Sequence, residues 1–460
     1  MPRFQSSEQK HDFMLNTPIP SLVTRMALPS IAGMIVTSAY NLADTFFVSQ
    51  LGTYATGAVG VNGGIDNIIM MAGSLLATGA ASYNARLLGA RKEEKASDVL
   101  SSCYFIALLM GLLVFVFGNL FQDPILYALG ANDSILPYSK EYCRYILLAA
   151  PFMSTSFVLN QCLRSEGSAV YSMIGMVAGA IINIGLDPLF IFTMGWGVAG
   201  ASAATAISKL ISWGILMLPY LRGKTLLKIQ LKHFRPTWRD TREVCAIGSA
   251  SFFRNGLAAL AAILLNRIAV GYSESALAAI SVANRITFFM TSACLGFGQG
   301  FQPVAGYSWG ARRYDRVRSS LRFSIIACVV TLTVVAAVVA FFAVPILGWF
   351  TETDEDLVTI GAFCLRIQCL AMPAHAYGII INMLCAGLGR AVPATILGMA
   401  RQGICFYPVL FIAVKFFGIQ GIASAQGAAD ILTLFLALPI HILVMKTVRQ
   451  AEEGMLSPQP

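Results

Sequence analysis

Residues 323–348 read FSIIACVVTLTVVAAVVAFFAVPILG, a stretch that contains no Asp, Glu, Lys or Arg. A transmembrane helix needs about 20 predominantly apolar residues, so this stretch alone is long enough to cross a bilayer. We expect it to be helical, because backbone groups in hydrocarbon must find their hydrogen-bond partners within the segment. A membrane therefore decides the fold of this part of the chain.

The same composition extends over the whole 460-residue chain, which is 57% hydrophobic and only 12% Asp, Glu, Lys or Arg. Soluble domains carry about 25% charged residues, so a soluble enzyme is excluded. Twelve apolar segments follow one another, and we predict an all-α integral membrane protein with twelve transmembrane helices. The predicted segments are 22–50, 54–86, 97–120, 138–163, 168–194, 197–222, 243–271, 275–307, 318–348, 356–387, 392–417 and 419–446.

The formal net charge of +9 follows the order of the loops. Basic residues gather in alternate connections, and the intervening connections are neutral or acidic. The positive-inside rule places basic loops in the cytoplasm, so we expect both termini to be cytoplasmic. Topology then explains the positive net charge, and we expect no nucleic-acid partner. The residues are Arg86, Arg91, Lys92, Lys95, Arg222, Lys224, Lys228, Lys232, Arg235, Arg239, Arg242, Arg312, Arg313, Arg316, Arg318 and Arg322, against Glu352, Asp354, Glu355 and Asp356 in an acidic loop.

Neither a leader sequence nor a metal centre is indicated. Residues 1–17 are polar and resemble a cytoplasmic lead-in more than a signal peptide. The ten cysteines lie singly, without a CxxC or Cys/His cluster, which predicts neither a disulfide framework nor a zinc site. We therefore expect no cofactor.

An internal repeat appears when the second half is laid on the first with a shift of 221 residues. Residues 89–91 (Gly-Ala-Arg) fall on residues 310–312 (Gly-Ala-Arg), and Gly79 falls on Gly300. Chance agreement of small residues is the alternative, but the unchanged register favours a duplication. Six helices per half predict two parallel bundles related by a pseudo-twofold axis, with a central cavity between them. The predicted divisions are a cytoplasmic segment 1–21, bundles 22–222 and 243–446, a basic linker 223–242 and a cytoplasmic tail 447–460.

Two intramembrane carboxylates in the first half are candidate functional groups, because ionisable residues are costly in a bilayer. Asp44 and Asp187 each lie seven residues before the predicted outer end of a helix, and Thr205 lies seven residues into the next helix. At 1.5 Å per residue all three sit about 10 Å below the outer boundary. Tyr40 and Asn183 precede the two aspartates by four residues and so share their helix faces. These five residues predict an oxygen-rich pocket for protons or for Na⁺, with Asp44, Asn183, Asp187 and Thr205 as candidate sodium ligands.

The alternative is that both aspartates are hydrogen-bonded packing residues or line a passive water cavity. At the 221-residue shift Asp44 meets Leu265 and Asp187 meets Pro408. The fold therefore does not require the carboxylates, which favours a functional role.

A proline in the first helix and a group of polar residues in the second half each allow more than one interpretation. Pro29 inside the first helix predicts a kink, which is either a hinge that responds to protonation or a fixed bend. The second half carries intramembrane polar residues of mostly opposite charge, and their role is open. These residues are Arg254, Arg267, Arg285, Arg366, His375, Arg401 and Asp430.

Several motifs together resemble the multidrug and toxic compound extrusion (MATE) family over nearly the whole chain. The motifs are Leu28-Pro29-Ser30, Tyr40-Asn41-Leu42-Ala43-Asp44-Thr45, Gly52 to Gly60, Asn183 to Pro188, Gly197-Val198-Ala199-Gly200-Ala201 and Gly296-Phe297-Gly298-Gln299-Gly300-Phe301-Gln302-Pro303.

Within that family the first-half pocket resembles the DinF-like branch of prokaryotic transporters, which implies a location in a prokaryotic plasma (inner) membrane. The resemblance implies that Asp44 and Asp187, with Tyr40, Asn183 and Thr205, form the cation-coupling site. It also implies a substrate cavity lined by Asn160, Gln161, Gln299 and Gln302. The other bacterial branch uses acidic residues of the seventh helix. Here the seventh segment has no carboxylate between Glu243 at its first position and Glu274 beyond its end, so that mode of coupling is not expected.

We therefore expect a monomeric multidrug exporter that exchanges amphipathic, often cationic, small organic compounds for H⁺ or Na⁺ across the lipid bilayer by alternating access. No GxxxxGK[ST] motif occurs, so ATP is not the expected energy source. One alternative is a flippase for a lipid-linked saccharide, from the related polysaccharide-exporter group. A membrane-embedded enzyme would need a constellation such as HExxH, and the sequence has none.

Overall fold

The computed structural model describes residues 7–270, 272, 274–349 and 355–454, and within these ranges the regular structure is helical throughout. Glu352 and Asp354 of the acidic loop lie outside the described residues. The α-helices are α1 (Ser7–Asn16), α2 (Ile19–Ser49), α3 (Thr53–Gly89), α4 (Glu93–Leu120), α5 (Gln122–Ala128), α6 (Leu136–Ser165), α7 (Ala169–Pro188), α8 (Gly197–Leu221), α9 (Trp238–Val270), α10 (Glu274–Gly310), α11 (Tyr314–Phe341), α12 (Ala343–Gly348), α13 (Glu355–Gly387), α14 (Ala391–Met399) and α15 (Phe406–Glu452).

Eleven continuous helices in the described ranges are long and apolar enough to cross a membrane. The last of them, Ala391–Glu452, is long enough to cross twice. Gly418 interrupts it with φ 57° and ψ −125°, a left-handed conformation that glycine adopts without steric cost. The break lies where the sequence separates its eleventh and twelfth segments, and the predicted fold class is confirmed.

Two bundles are formed, a first bundle of α2–α8 and a second bundle of α9–α15. In the first bundle α6 packs against α3, α4 and α8. In the second, α13 packs against α10, α11 and α15. The helices α3 and α10, and likewise α6 and α13, hold corresponding places in the two halves, as the repeat predicts.

The bundles meet at the end that carries the basic loops. We call it the basic end and define it by loops 90–92, 166–168, 222–237, 311–313 and 388–390. A methyl group on Gly89 would lie 2.1 Å from the carbonyl oxygen of Tyr307, and one on Gly310 would lie 2.0 Å from that of Arg86. Both pairs are related by the 221-residue shift, so the repeat register is also the register of the interface. Only glycine permits this approach.

Polar contacts extend the interface from the basic end toward the middle of the bundles. Arg86 pairs with Glu243 at 2.9 Å, the Thr78 hydroxyl donates to the Ser251 hydroxyl at 2.9 Å, and that of Ser38 donates to Ser292 at 3.0 Å.

The predicted N-terminal lead-in contains a helix that crosses both bundles. In α1 the buried Lys10 lies 3.5 Å from Glu166 of the first bundle, and His11 lies 2.8 Å from the hydroxyl of Tyr307 in the second. Arg316 of α11 donates to the carbonyl oxygens of Met14 and Thr17 at 3.2 and 2.8 Å. The basic linker packs back on the first bundle, where the backbone N–H of Leu226 donates to Glu166 at 2.8 Å.

Candidate functional site

Three of the predicted site residues lie together in the first bundle. The amide nitrogen of Asn183 donates to the Asp187 carboxylate and to the Thr205 hydroxyl, both at 3.3 Å. All three side chains are buried, Asp187 completely. One helical turn on α7 aligns Asn183 with Asp187, and the adjacent α8 supplies Thr205. An amide thus holds the carboxylate in place, as the sequence spacing predicts.

Asp44 lies on α2 near the same place. It is half-buried, and its charge interacts with that of Asp187. The two carboxylates predicted to share a depth are therefore within electrostatic reach of each other.

The fifth predicted residue, Tyr40, has a partner that the sequence argument missed. The ammonium group of Lys209 donates to the Tyr40 hydroxyl at 2.8 Å and lies 4.9 Å from the centre of its ring. Lys209 lies four residues beyond Thr205 on α8. The four-residue spacing that places Asn183 and Asp187 on one helix face therefore also places Lys209 on the face of Thr205.

A third carboxylate, Asp66 on α3, was also missed. Asp66 and Asp44 both interact electrostatically with Lys209 and with each other. It lies in the interior of a long membrane-spanning helix. Because an ionisable residue at such a position is costly in a bilayer, the sequence could have identified Asp66 as a candidate. The site thus contains three carboxylates and one ammonium group.

Four buried oxygen atoms of this cluster have no hydrogen-bond partner among the described residues. They are Oδ1 of Asp44, Oδ1 of Asp66, Oδ1 of Asn183 and Oδ2 of Asp187. Such atoms are costly unless a proton, a cation or a donor satisfies them. Within the described ranges no three His, Cys, Asp or Glu side chains lie close enough to hold a metal ion. The four unpartnered oxygens are groups that could bind protons or a monovalent cation.

The predicted substrate-cavity residues are brought together only in part. Buried Arg164 hydrogen-bonds to the Asn160 side chain on its own helix α6 and to Gln299 on α10. Gln302 is buried one turn further along, with an amide nitrogen that has no hydrogen-bond partner among the described residues. Gln161 is half-buried. Asn160 and Gln299 therefore join the two bundles through an arginine that the sequence argument did not single out.

Three of the polar residues of the second half, His375, Arg401 and Asp430, form a separate cluster. Arg401, in a short π-helical turn (Ala400–Ile404), donates to Asp430 at 2.6 Å, and His375 on α13 lies 3.7 Å from the same carboxylate. Arg254 donates to the Ser251 hydroxyl at 3.2 Å, and Arg366 donates to the Ala340 carbonyl at 3.4 Å. Arg267 and Arg285 are exposed.

Pro29 is buried inside α2, within the segment 26–31 that packs on Gly296 and Gly300 of α10. A proline in a helix interior removes a backbone hydrogen bond. Its role as a hinge stays a prediction.

A protein family and several multidrug export proteins are similar to this chain in sequence. The MatE family model matches residues 29–189 and 250–412. The protein called "Multidrug export protein MepA" of Staphylococcus haemolyticus is 28% identical over 413 residues, which cover 90% of this chain and 91% of that protein. Its namesake in Staphylococcus aureus is 27% identical over 429 residues, covering 93% and 94%.

Solved structures share the fold at low sequence identity. A MATE protein crystallised in complex with MaL6 superposes with a TM-score of 0.91 at 24% identity, covering 96% of this chain and 99% of the other. A multidrug resistance MATE family transporter of the MOP superfamily, in an outward-facing conformation, also gives 0.91 at 24% identity and covers 98% and 100%.

Proposed function

The chain belongs to the MatE family, and we propose that it exports amphipathic, often cationic, small organic compounds in exchange for H⁺ or Na⁺. Proteins of this family are multi-pass membrane transporters and not enzymes. Export of drugs is supported by the relatives called multidrug export proteins, which match nearly the full length of this chain. The single observation that carries the coupling is the set of buried oxygens on Asp44, Asp66, Asn183 and Asp187 that have no hydrogen-bond partner in the described part of the chain.

The mechanism follows from the competition for these oxygens. A cationic substrate and the coupling cation both satisfy the carboxylates, so binding of one favours release of the other. Protonation or Na⁺ binding at Asp44 and Asp187 would release the drug on one side of the membrane. Loss of the ion on the other side would restore the negative charge of the carboxylates. The membrane potential contributes about 2.3 kcal/mol per charge at 100 mV.

Lys209 favours the proton as the coupling ion. Its ammonium group already supplies a fixed positive charge to Asp44 and Asp66, which reduces the attraction of a second metal cation. A proton adds to a carboxylate oxygen without needing several ligands, whereas Na⁺ needs an oxygen cage. The location of the carboxylates in the first bundle supports the assignment of the chain to the DinF-like branch.

We place the basic end in the cytoplasm, at the inner face of a prokaryotic plasma membrane, and the functional unit is a monomer. With that orientation the bundles are closed toward the cytoplasm, and the pocket of Asp44 and Asp187 lies toward the outside. The structure then corresponds to the state that releases drug and receives the coupling ion.

The test is transport in proteoliposomes. A fluorescent organic cation is followed under an imposed proton or sodium gradient for the wild type, Asp44→Asn and Asp187→Asn. We expect each variant to lose at least about tenfold in gradient-driven transport, equivalent to about 1.4 kcal/mol. Asp133→Asn, which changes an exposed carboxylate in the loop between α5 and α6, is the matched control. Unchanged transport in both site variants would refute the coupling role, and indifference to both gradients would refute antiport.

A second candidate is a flippase for a lipid-linked saccharide. It is favoured by Arg164, a buried cation between the bundles whose hydrogen-bond partners are amides rather than a carboxylate. Such a cation would suit a phosphate-linked substrate. Gradient-independent movement of a lipid-linked saccharide, lost in Arg164→Gln, would support this candidate over drug export.

A further inference from the structure

A groove of about 600 Å³ opens at the basic end, where loop 90–92 of the first bundle faces loop 311–313 of the second. The helix α1 contributes to its wall. Every ionisable side chain that lines it belongs to an arginine, a lysine or a histidine, and no carboxylate is among the lining residues. They are His11, Arg86, Arg91, Lys92, Arg312 and Arg313.

The backbone of the two loops is unusual in the same way. Arg91 and Arg312 both have φ of 59°, and they are the only described non-glycine residues with positive φ. That conformation is disfavoured for a long side chain. The two arginines are related by the 221-residue shift, so the duplicated loop brings the same feature to the groove from both bundles.

The positive charge of the groove is only partly compensated. Glu243 is paired with Arg86, Asp315 is paired with Arg313 at 3.2 Å, and Glu93 accepts a hydrogen bond from Ser7. Lys92 and Arg312 are exposed, and neither makes an ion pair with a described residue. The positive-inside rule explains basic loops, but it does not require loops of two bundles to converge on one groove.

We propose that this groove binds a phosphate-bearing anion, either an anionic lipid headgroup or a free phosphate compound. Arginine and lysine side chains arranged around a concave site are the groups that bind phosphate in proteins. Because both bundles contribute, the groove is complete only while the basic end is closed, so its occupant stabilises that closed state. The consequence for transport rests on the proposed function, whereas anion binding itself does not.

The experiment measures amide hydrogen exchange of the full-length protein in nanodiscs. One arm adds inorganic pyrophosphate to discs of phosphatidylcholine, and the other replaces phosphatidylcholine with phosphatidylglycerol. The Lys92→Gln/Arg312→Gln double variant removes the two uncompensated charges. The Lys224→Gln/Arg239→Gln variant removes two exposed charges at the same end but outside the groove and is the matched control.

We expect exchange in residues 84–92 and 305–313 to slow by at least about fivefold in one or both arms for the wild type and the control, and not for the Lys92/Arg312 variant. Protection by pyrophosphate identifies a free phosphate compound, and protection by phosphatidylglycerol alone identifies a lipid headgroup. Absence of protection in both arms overturns the proposal. An equal loss of protection in the control overturns it as well, because net charge would then suffice. These outcomes do not depend on drug transport.

Discussion

The ammonium nitrogen of Lys209 lies 2.8 Å from the hydroxyl oxygen of Tyr40, although the two residues are 169 positions apart. This contact joins α8 to α2 beside three carboxylates, two of which interact electrostatically with the same ammonium group. A fixed positive charge is thus part of the candidate cation site. It occupies the electrostatic role that a bound metal cation would otherwise fill.

Replacing Lys209 by Gln should make the site bind Na⁺. The variant leaves Asp44 and Asp66 without their internal counter-charge, so a sodium ion becomes favourable there. With Na⁺ tenfold above its Kd the folded state gains about 1.4 kcal/mol. The melting temperature of Lys209→Gln in detergent should therefore rise by a few degrees when Na⁺ replaces K⁺, while that of the wild type changes little. Lys224→Gln, at an exposed position, is the control, and a Na⁺ effect of equal size in all three proteins would contradict the prediction.

The pair Lys10–Glu166 should act as a unit that fixes α1 to the first bundle. Both side chains are buried, and removal of one partner leaves an uncompensated buried charge, which costs about 3–5 kcal/mol. Lys10→Met and Glu166→Gln should each lower the melting temperature, and the double variant should recover most of the loss. Additive losses, measured by thermal unfolding in a double-mutant cycle, would show that the pair is not coupled.

The same carboxyl predicts a pH dependence of stability. Burial raises the pKa of Glu166 above its ordinary value of 4.5, opposed by Lys10 and by the backbone N–H groups of Leu226 and Leu227. The folded state then holds the proton more tightly than the unfolded chain. The contribution of Glu166 to stability is therefore largest below pH 4.5 and falls as the pH rises through the raised pKa. Unfolding measured just above pH 4.5 should show this slope in the wild type and lose it in Glu166→Gln.

The glycine contact at the basic end should be needed for closure. Gly310→Val places atoms against the Arg86 carbonyl, where even a methyl group would lie at 2.0 Å, and overpacking costs about 1–3 kcal/mol. We expect the bundles to separate there, with faster amide exchange in residues 84–92. Gly185→Ala is the control, since a methyl group at that helical position meets nothing within 4 Å. Unaltered exchange in Gly310→Val would show that the interface accommodates a side chain.

Sequence alone predicted what depends on spacing along a helix. Asn183 and Asp187 share a helix face at four residues, and counting residues from the helix ends placed Thr205 at the same depth. Gly418 marked the boundary between the last two spans. Lys209 and Asp66 were missed because neither lies four positions from Asp44 or Asp187, although Lys209 lies four positions from Thr205.

Other features could not be predicted from one sequence. Arg164 meets Gln299 across 135 positions, and no local pattern records such a pairing. The ten residues of α1 form a polar helix too short to be stable in isolation, so its structure depends on tertiary contacts such as Lys10–Glu166.

The ion pair of Arg401 and Asp430 should be structural, in contrast to the carboxylates of the first bundle. Asp430 is buried, and Arg401, His375 and Gln426 all lie within 3.7 Å of its carboxylate. Asp430→Asn leaves the arginine without its counter-charge and should lower stability by about 3–5 kcal/mol. Arg401→Met combined with Asp430→Asn should restore the melting temperature, and gradient-driven transport per folded molecule should stay within about twofold of the wild type. A stable double variant that has lost transport would instead assign a coupling role to the second bundle.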